Sequence, residues 1–329
     1  MSFRINRPIT NRPQVANQVG NPPHVVAILS DMAREIERAA ELLRSGGLVA
    51  FPTETVYGLG ANALDALAVR RIFQVKGRPF SSPVIVHVAN AGMARELALV
   101  WPAQAEALAR RFWPGPLTLI VPKKAEIPDI VTAGLPGAGF RVPSHPLALD
   151  LLRAAGIPIA APSANRFTQL SPTTAEHVRL GLGDAIDMIL DGGDCTVGIE
   201  STVISFCGEI PRILRPGFIT RPQIEALIGP VEAGGGAESP GQHPRHYSPR
   251  TRIVLGESPG TGRGFRLDGS NMPDDAAAYG ARLYRVLHEL DEHGFDWIAI
   301  EPPPDTPDWA GIRDRLRRAS SSSTPGSSS

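Results

Sequence analysis

The chain has 329 residues, 42% of them hydrophobic and 20% charged, which is the make-up of a globular protein of about two domains at roughly 100–200 residues each. Lys plus Arg number 33 and Asp plus Glu 33, so a broad electrostatic grip on nucleic acid is disfavoured, although a local basic patch is not. Cys195 and Cys207 fit no zinc spacing and no disulfide framework, and no apolar run has the length of a membrane span. The N-terminus lacks the basic-then-apolar order of a signal peptide, and a cytoplasmic location is expected.

Residues 1–27 are polar and proline-dotted and read as a flexible arm. Ser30 then suits the cap of a helix with Met32, Ile36, Ala39, Leu42 and Leu43 on its apolar face, ended by Gly46-Gly47. Leu48–Phe51 reads as a buried strand stopped by Pro52. Asp65 can cap a second helix carrying Leu67, Val69, Ile72 and Phe73, closed near Gly77. Further strands are expected at Val84–Val88, Leu117–Val121, Phe140–Val142, Ile157–Ala160, Met188–Leu190, Thr202–Phe206 and Ile213–Leu214. Helices are expected around Ala94–Leu99, Ala103–Phe112, Leu147–Ala155, Ala175–Leu182 and Pro222–Ile228. This interleaving predicts an α/β domain over residues 28–229, an open twisted mixed sheet covered by helices. Residues 230–249 have the Gly and Pro content of a linker. Residues 250–319 form a small α/β unit: a strand at Arg252–Leu255, a Gly-rich stretch Gly256–Gly269 with little to bury, a helix at Asp275–His293, a strand at Trp297–Ile300 and a helix at Trp309–Ala319. Residues 320–329 read as a disordered tail.

Three segments carry candidate chemistry. In Lys76-Gly77-Arg78-Pro79, helix-end cations and a capping glycine explain the residue types, yet a Lys and an Arg two positions apart can also embrace a phosphate chain. Pro52–Gly60 follows a strand with two threonines, Glu54, Tyr57 and two glycines. Its hydroxyls can bond a small polar substrate and its glycines permit close backbone approach; Glu54 is open as a base, a cation ligand or an ion-pair partner. Ala161-Pro162-Ser163-Ala164-Asn165 places small and polar residues at a strand end, as a turn or as the rim of an α/β site. Gly198–Val203 is a further Gly-rich approach to a strand, and His87 sits on a strand as a structural or catalytic group. No nucleophile elbow, HExxH or Cys/His cluster occurs, so positioning and electrostatics are expected to carry the chemistry, with no protein-held metal.

In order, PTETVYGLG, KGRP, PVIVHV, WPGPLTLIV, FRVPSHP, APSAN, SPTTAEHV and GIESTVI resemble the YrdC-like family, in its longer two-domain form of threonylcarbamoyl-AMP synthases. The resemblance covers about Ile28 to Gly229. It extends through Ser239-Pro240-Gly241 and Arg245–Pro249 of the linker, and through Met272–Ala319, to a shortened Rossmann-like C-terminal domain. It implies that L-threonine takes up bicarbonate or CO2 on its amine, and that the N-carboxy group attacks the α-phosphate of ATP. Pyrophosphate leaves, and a separate transfer enzyme uses the product for N6-threonylcarbamoyladenosine at position 37 of tRNA. Mg²⁺ is expected with the triphosphate. The resemblance implies catalytic roles for Lys76, Arg78, Ser163 and Asn165; contacts to threonine from Thr55, His87, Arg141, Ala161 and Ser201; and contacts to ATP from Arg78, Ser82, Gly137, Ser163, Ser171, Arg215 and Tyr247. Ser82 stands where family members often have Asn, and Gly137 where they often have Thr, so Gly137 is left with backbone contact. Two other functions fit a YrdC-like module: carbamoyl transfer from carbamoyl phosphate, disfavoured by the lack of further cysteine pairs and large domains, and double-stranded RNA binding, disfavoured by the neutral charge but compatible with a weak tRNA contact.

Overall fold

The structure, a computed structural model, describes residues 23–234 and 247–320. The chain divides into two units, residues 1–34 and 35–329. In the first, the described residues belong to helix α1 (Pro23–Arg44), which begins before Ser30, so Ser30 lies within the helix and does not cap it. The rest of the expected arm, the linker residues 235–246 and the tail 321–329 lie outside the described residues.

The second unit continues from the end of α1 through β1 (Val49–Phe51), β2 (Gly58–Asn62), α2 (Ala66–Lys76), β3 (Val86–His87), α3 (Ala91–Leu97), α4 (Ala103–Phe112) and β4 (Leu117–Pro122). Then come α5 (Asp129–Thr132), β5 (Gly137–Arg141), α6 (Pro146–Ala155), β6 (Ile159–Ala160), α7 (Ala175–Leu182), β7 (Met188–Ile189), β8 (Thr202–Ser205), β9 (Arg212–Arg215), α8 (Arg221–Ile228) and β10 (Glu232–Ala233). These ten strands form one mixed sheet in the order β10-β9-β8-β4-β5-β3-β6-β2-β1-β7. Asp65 caps α2 as expected, its carboxylate accepting from the amides of Leu67 and Ala68, and Gly77 closes the helix in the left-handed region at φ 62°.

The central strands sort their side chains by the two-residue period of the pleat. Val86, Val88, Ala138, Phe140, Leu117, Leu119, Val121 and Ile204 enter one large core. Their neighbours Ile85, His87, Gly139, Arg141, Thr118, Ile120 and Val203 belong to the opposite face, where the candidate site lies. Strand β2 was not expected from the sequence, because GLGAN has no β-branched residue. Gly60 is needed there for packing: a Cβ would meet Ile159 Cγ2 at 2.8 Å and the Phe51 ring at 2.9 Å, so its room is taken by the protein and not by a ligand.

After residue 247 come β11 (Arg252–Leu255), β12 (Gly264–Leu267), α9 (Ala276–Glu292), β13 (Trp297–Ile300) and α10 (Ala310–Ser320). The strands make a parallel sheet in the order β11-β13-β12. The Gly-rich stretch expected to bury little therefore contains a strand. Gly264 opens it because the Trp297 ring lies where a Cβ would be, and the Trp297 indole N–H donates to Thr261 O (2.7 Å). Among the described residues no helix is long and apolar enough to cross a membrane.

The two sheets share a core. Val56, Leu170, Ile199 and Tyr247 cluster with Leu283, Tyr284, Leu287, Ile312 and Leu316 of α9 and α10. Backbone meets backbone at two points: a Cβ on Gly198, at φ 75°, would run into the carbonyl of Gly280, and one on Gly311 would lie 2.9 Å from Gly217 Cα. Gly198→Ala is therefore expected to destabilise the fold by roughly 2–4 kcal/mol, combining a left-handed alanine with overpacking. Gly181→Ala, at a helical position with open space, should leave the melting temperature unchanged or raise it. Equal melting temperatures for Gly198→Ala and wild type would show that the two layers are not in close contact.

The same junction contains a stacked pair of histidines, His177 of α7 and His288 of α9, with ring centroids 3.8 Å apart. Burial first, then the charges of His288 and Arg285, push His177 down to about 3, and burial lowers His288 against the pull of the Ser171 carbonyl, Asp291 and Glu292. Both groups bind protons less readily folded than unfolded. Their contribution to stability is complete above the ordinary histidine value of about 6.5 and is lost as pH falls below it. Wild type should lose more melting temperature between pH 7.5 and pH 5.5 than His177→Phe does; parallel losses would remove the pair as the cause.

Candidate active site

The site grows from the turn between β1 and β2. Thr53 Oγ1 donates to Val56 O (2.6 Å) and accepts from the amides of Thr55 and Val56 (both 3.2 Å), which folds Pro52–Tyr57 into a tight arch. The arch presents Thr55 Oγ1 to Arg141, whose Nη1 donates to it at 2.8 Å. Arg141 Nη2 pairs with Glu54 Oε1 at 2.7 Å, and Glu54 Oε2 accepts from the Ser144 amide (3.0 Å). Of the three roles open for Glu54, the geometry provides the ion pair.

Arg141 ends β5 opposite His87 of the parallel β3, so both side chains rise from one sheet face. Both are buried, and Arg141 Nε and His87 Nδ1 meet no hydrogen-bond partner among the described residues. A buried polar atom without a partner costs about 1–3 kcal/mol, so these two atoms suit a polar ligand at this wall. Burial first, then the Arg141 charge, hold the His87 imidazole well below its ordinary value and keep it neutral at pH 7.

Ser163 and Ala161 reach the same cavity because the segment 161–165 runs beside β2. Leu59 N donates to Pro162 O and Ala164 N to Tyr57 O, both at 2.8 Å. Lys76 fastens the segment from below, its Nζ donating to Ser163 O (2.6 Å) and Asn165 O (2.5 Å). Arg78 enters from the turn after α2, its Nη2 donating to Pro83 O (2.8 Å) and its Nε to Ser82 O (3.2 Å). Burial pushes Arg78 down, Tyr247 opposes this, and Arg215 pushes it further, so an anion between the two guanidiniums would relieve both. From β9, Arg215 Nε donates to Ser201 O and its Nη2 to Ser201 Oγ, both at 3.1 Å.

The cavity is a partly open cleft, with about 520 Å³ of space between atoms when its solvent-filled mouth is included. It gathers nine of the residues implied by the resemblance: Thr55, Arg78, His87, Arg141, Ala161, Ser163, Ser201, Arg215 and Tyr247. Five others do not line it. Lys76 lies beneath the wall, as described. The Asn165 amide is spent on Arg166 O and Gln169 O (both 2.8 Å). The Ser171 hydroxyl donates to Glu200 Oε1 (2.5 Å). Ser82 offers its backbone carbonyl to Arg78. Gly137 lines a separate small cavity, packed where a Cβ would strike Cys207 Sγ. Glu200, Thr53, Val56, Gly58, Ile85 and Pro162 line the main cavity without having been singled out for it. Position inside the quoted motifs was their available signal.

A family model described as "Telomere recombination" (Sua5, YciO and YrdC proteins) matches residues 41–217, and one described as "Threonylcarbamoyl-AMP synthase, C-terminal domain" matches residues 219–321. The threonylcarbamoyl-AMP synthase of Bacillus subtilis (strain 168) is 42% identical to the chain, over 88% of this chain and 94% of its own length. The chain belongs to the threonylcarbamoyl-AMP synthase family. The family member from Pyrococcus abyssi is 39% identical over 87% of this chain and 94% of its own length. A crystal structure of P. abyssi Sua5 complexed with L-threonine superposes with a TM-score of 0.84 at 38% identity, covering 88% of this chain and 94% of that one. The family's two-part layout extends over both sheets described above.

Proposed function

We propose that the chain makes threonylcarbamoyl-AMP from L-threonine, bicarbonate or CO2, and ATP, with release of pyrophosphate. The observation that carries this is the convergence of Arg141, Arg78 and Arg215 on one buried cavity, with the arch Thr53–Val56 and neutral His87 between them. A guanidinium fork suits a carboxylate or a phosphate, and three of them in one cavity suit a ligand pair carrying both.

Arg141 is assigned to the threonine carboxylate, supported by its unpartnered Nε, with Thr55, His87, Ala161 and Ser201 around the amino acid. Arg78, Arg215, Ser163 and Tyr247 are assigned to ATP. Lys76, Asn165 and Ser171 serve by holding that wall in place. The amine of threonine forms a bond to the carbon of CO2 and loses a proton. The resulting carboxylate oxygen bonds to the α-phosphorus, and the bond from that phosphorus to the bridging oxygen of pyrophosphate breaks. Arg78 and Arg215 would neutralise the charge that moves onto pyrophosphate, so the site acts by positioning and electrostatics.

Mg²⁺ is proposed to arrive with the triphosphate. Glu200, which lines the cavity, and Glu54, in the arch behind it, are both taken by arginines, and the described residues contain no group of three His, Cys, Asp or Glu that could hold a metal. No step is assigned to the ion. A separate transfer enzyme acting on tRNA is proposed as the consumer of the product.

Pyrophosphate release, measured with threonine, bicarbonate and ATP and with each omitted in turn, tests the function. Release should need all three. An equal rate with serine, or with no amino acid, would remove threonine as the substrate.

A further inference from the structure

We propose that Arg315, on α10, is a positioning residue of this site: from outside the cavity it holds two of the groups that line it, Glu200 and Tyr247. The inference rests on the cavity being the site for ATP and threonine. Arg315 is 0% exposed. Its Nε donates to Glu200 Oε2 (2.7 Å), its Nη2 to Glu200 O (3.2 Å) and its Nη1 to Pro216 O (2.9 Å), while the guanidinium carbon stands 5.3 Å from the centre of the Tyr247 ring. Glu200 and Tyr247 line the cavity, as does Arg215, the neighbour of Pro216; Arg315 does not. One side chain thus grips the carboxylate and backbone of residue 200, the backbone beside Arg215 and the face of the linker tyrosine.

Stability alone is a poor reason for such a group. A buried ion pair often contributes no more than apolar residues of similar volume would, because desolvation offsets the attraction. What it supplies is geometry. Around Glu200 stand the Ser171 hydroxyl, Tyr284 OH (3.2 Å to Oε2), Arg215 and Tyr247. Burial pushes the Glu200 carboxyl up, and Arg315, Arg215 and the Ser171 hydrogen bond together hold it below its ordinary value. Asp314 faces Arg315 at 3.0 Å and is itself shared with Arg317 and Arg318. Without Arg315 the carboxylate is drawn toward protonation and release from Ser171, and the Tyr247 ring loses the cation on its face. The small C-terminal sheet would then serve chiefly to deliver α10 to the cavity wall.

Full-length Arg315→Met and Arg315→Lys test this through pyrophosphate release, calorimetric titration with ATP and thermal melting. Arg315→Met should lower kcat/KM for ATP and weaken ATP binding, each by about tenfold or more, and move the acid limb of the pH–rate profile upward as Glu200 begins to titrate. Arg315→Lys, which keeps the charge but not the fork, should recover part of each loss, and adding Glu200→Gln to Arg315→Met should abolish the moved acid limb. A folded Arg315→Met with wild-type kcat, KM, ATP affinity and pH profile overturns the proposal even if it melts earlier. If Arg315→Met does not fold, wild-type values in Arg315→Lys overturn it. Wild type that binds ATP but lacks threonine-dependent turnover refutes the proposed function, and the ATP titrations still decide on Arg315. Wild type that binds no ATP overturns both.

Discussion

Arg141→Ala should lower kcat/KM for threonine by a factor on the order of 10²–10³, with little change in KM for ATP. Arg141 is 4% exposed and anchors both Thr55 and Glu54. Its loss removes the proposed partner of the substrate carboxylate and leaves the Glu54 carboxylate buried without its counter-charge. The unpaired Glu54 costs about 3–5 kcal/mol of stability; the rate loss comes from the missing charged contact to the substrate, about 3–4 kcal/mol at 1.36 kcal/mol per tenfold. Arg141→Lys should recover only part, since one ammonium cannot serve Thr55, Glu54 and a substrate carboxylate together. Initial rates of pyrophosphate release over a threonine series provide the measurement. An unchanged kcat/KM for threonine would take Arg141 out of the amino-acid subsite.

Arg78→Ala should show the opposite split, a rise of roughly 10–100-fold in KM for ATP with a modest effect on threonine, from the loss of charged hydrogen bonds worth about 1.5–3 kcal/mol. Arg78 also ties the Ser82 and Pro83 carbonyls to the end of α2, so some fall in kcat should accompany the loss of affinity. Binding of ATP by calorimetry separates the two contributions. Equal ATP affinity and turnover in the variant would assign Arg78 to the helix terminus alone. Together the two variants distinguish an amino-acid wall from a nucleotide wall in one cavity.

Much of this was legible in the sequence because it depends on local chemistry. The cap at Asp65, the stop at Gly77, helices α4 and α7, and strands β11 and β13 follow from residues adjacent in the chain. Eight of the nine implied cavity residues lie in the quoted motifs and linker segments, and Arg215 alone lies outside them. Strands β2 and β12 were hidden because glycine hands their stability to neighbours: Phe51 and Ile159 fill the space beside Gly60, and Trp297 covers Gly264. Neither neighbour can be named until the sheet register is known.

The same limit explains the residues that did not reach the cavity. Lys76 and Arg78 are equal candidates in sequence, yet they lie on opposite sides of a helix cap, and only Arg78 enters the cavity while Lys76 turns beneath the 163–165 segment. Arg315 is one of four arginines in Arg313–Arg318, and nothing local separates it from the others. The sequence by itself determined the α/β class, the order of most of the elements, the family and nine of the residues that line the cavity, because capping, periodicity and motif spacing are properties of neighbours along the chain. Only the tertiary structure decided which cations face the cavity and which lie behind its wall, and that the small C-terminal layer shares the core of the first. Burial and hydrogen-bond satisfaction set those roles, and for Lys76 and Arg315 the partners are far away in the chain: Ser163 is 87 positions from Lys76, and Glu200 is 115 from Arg315.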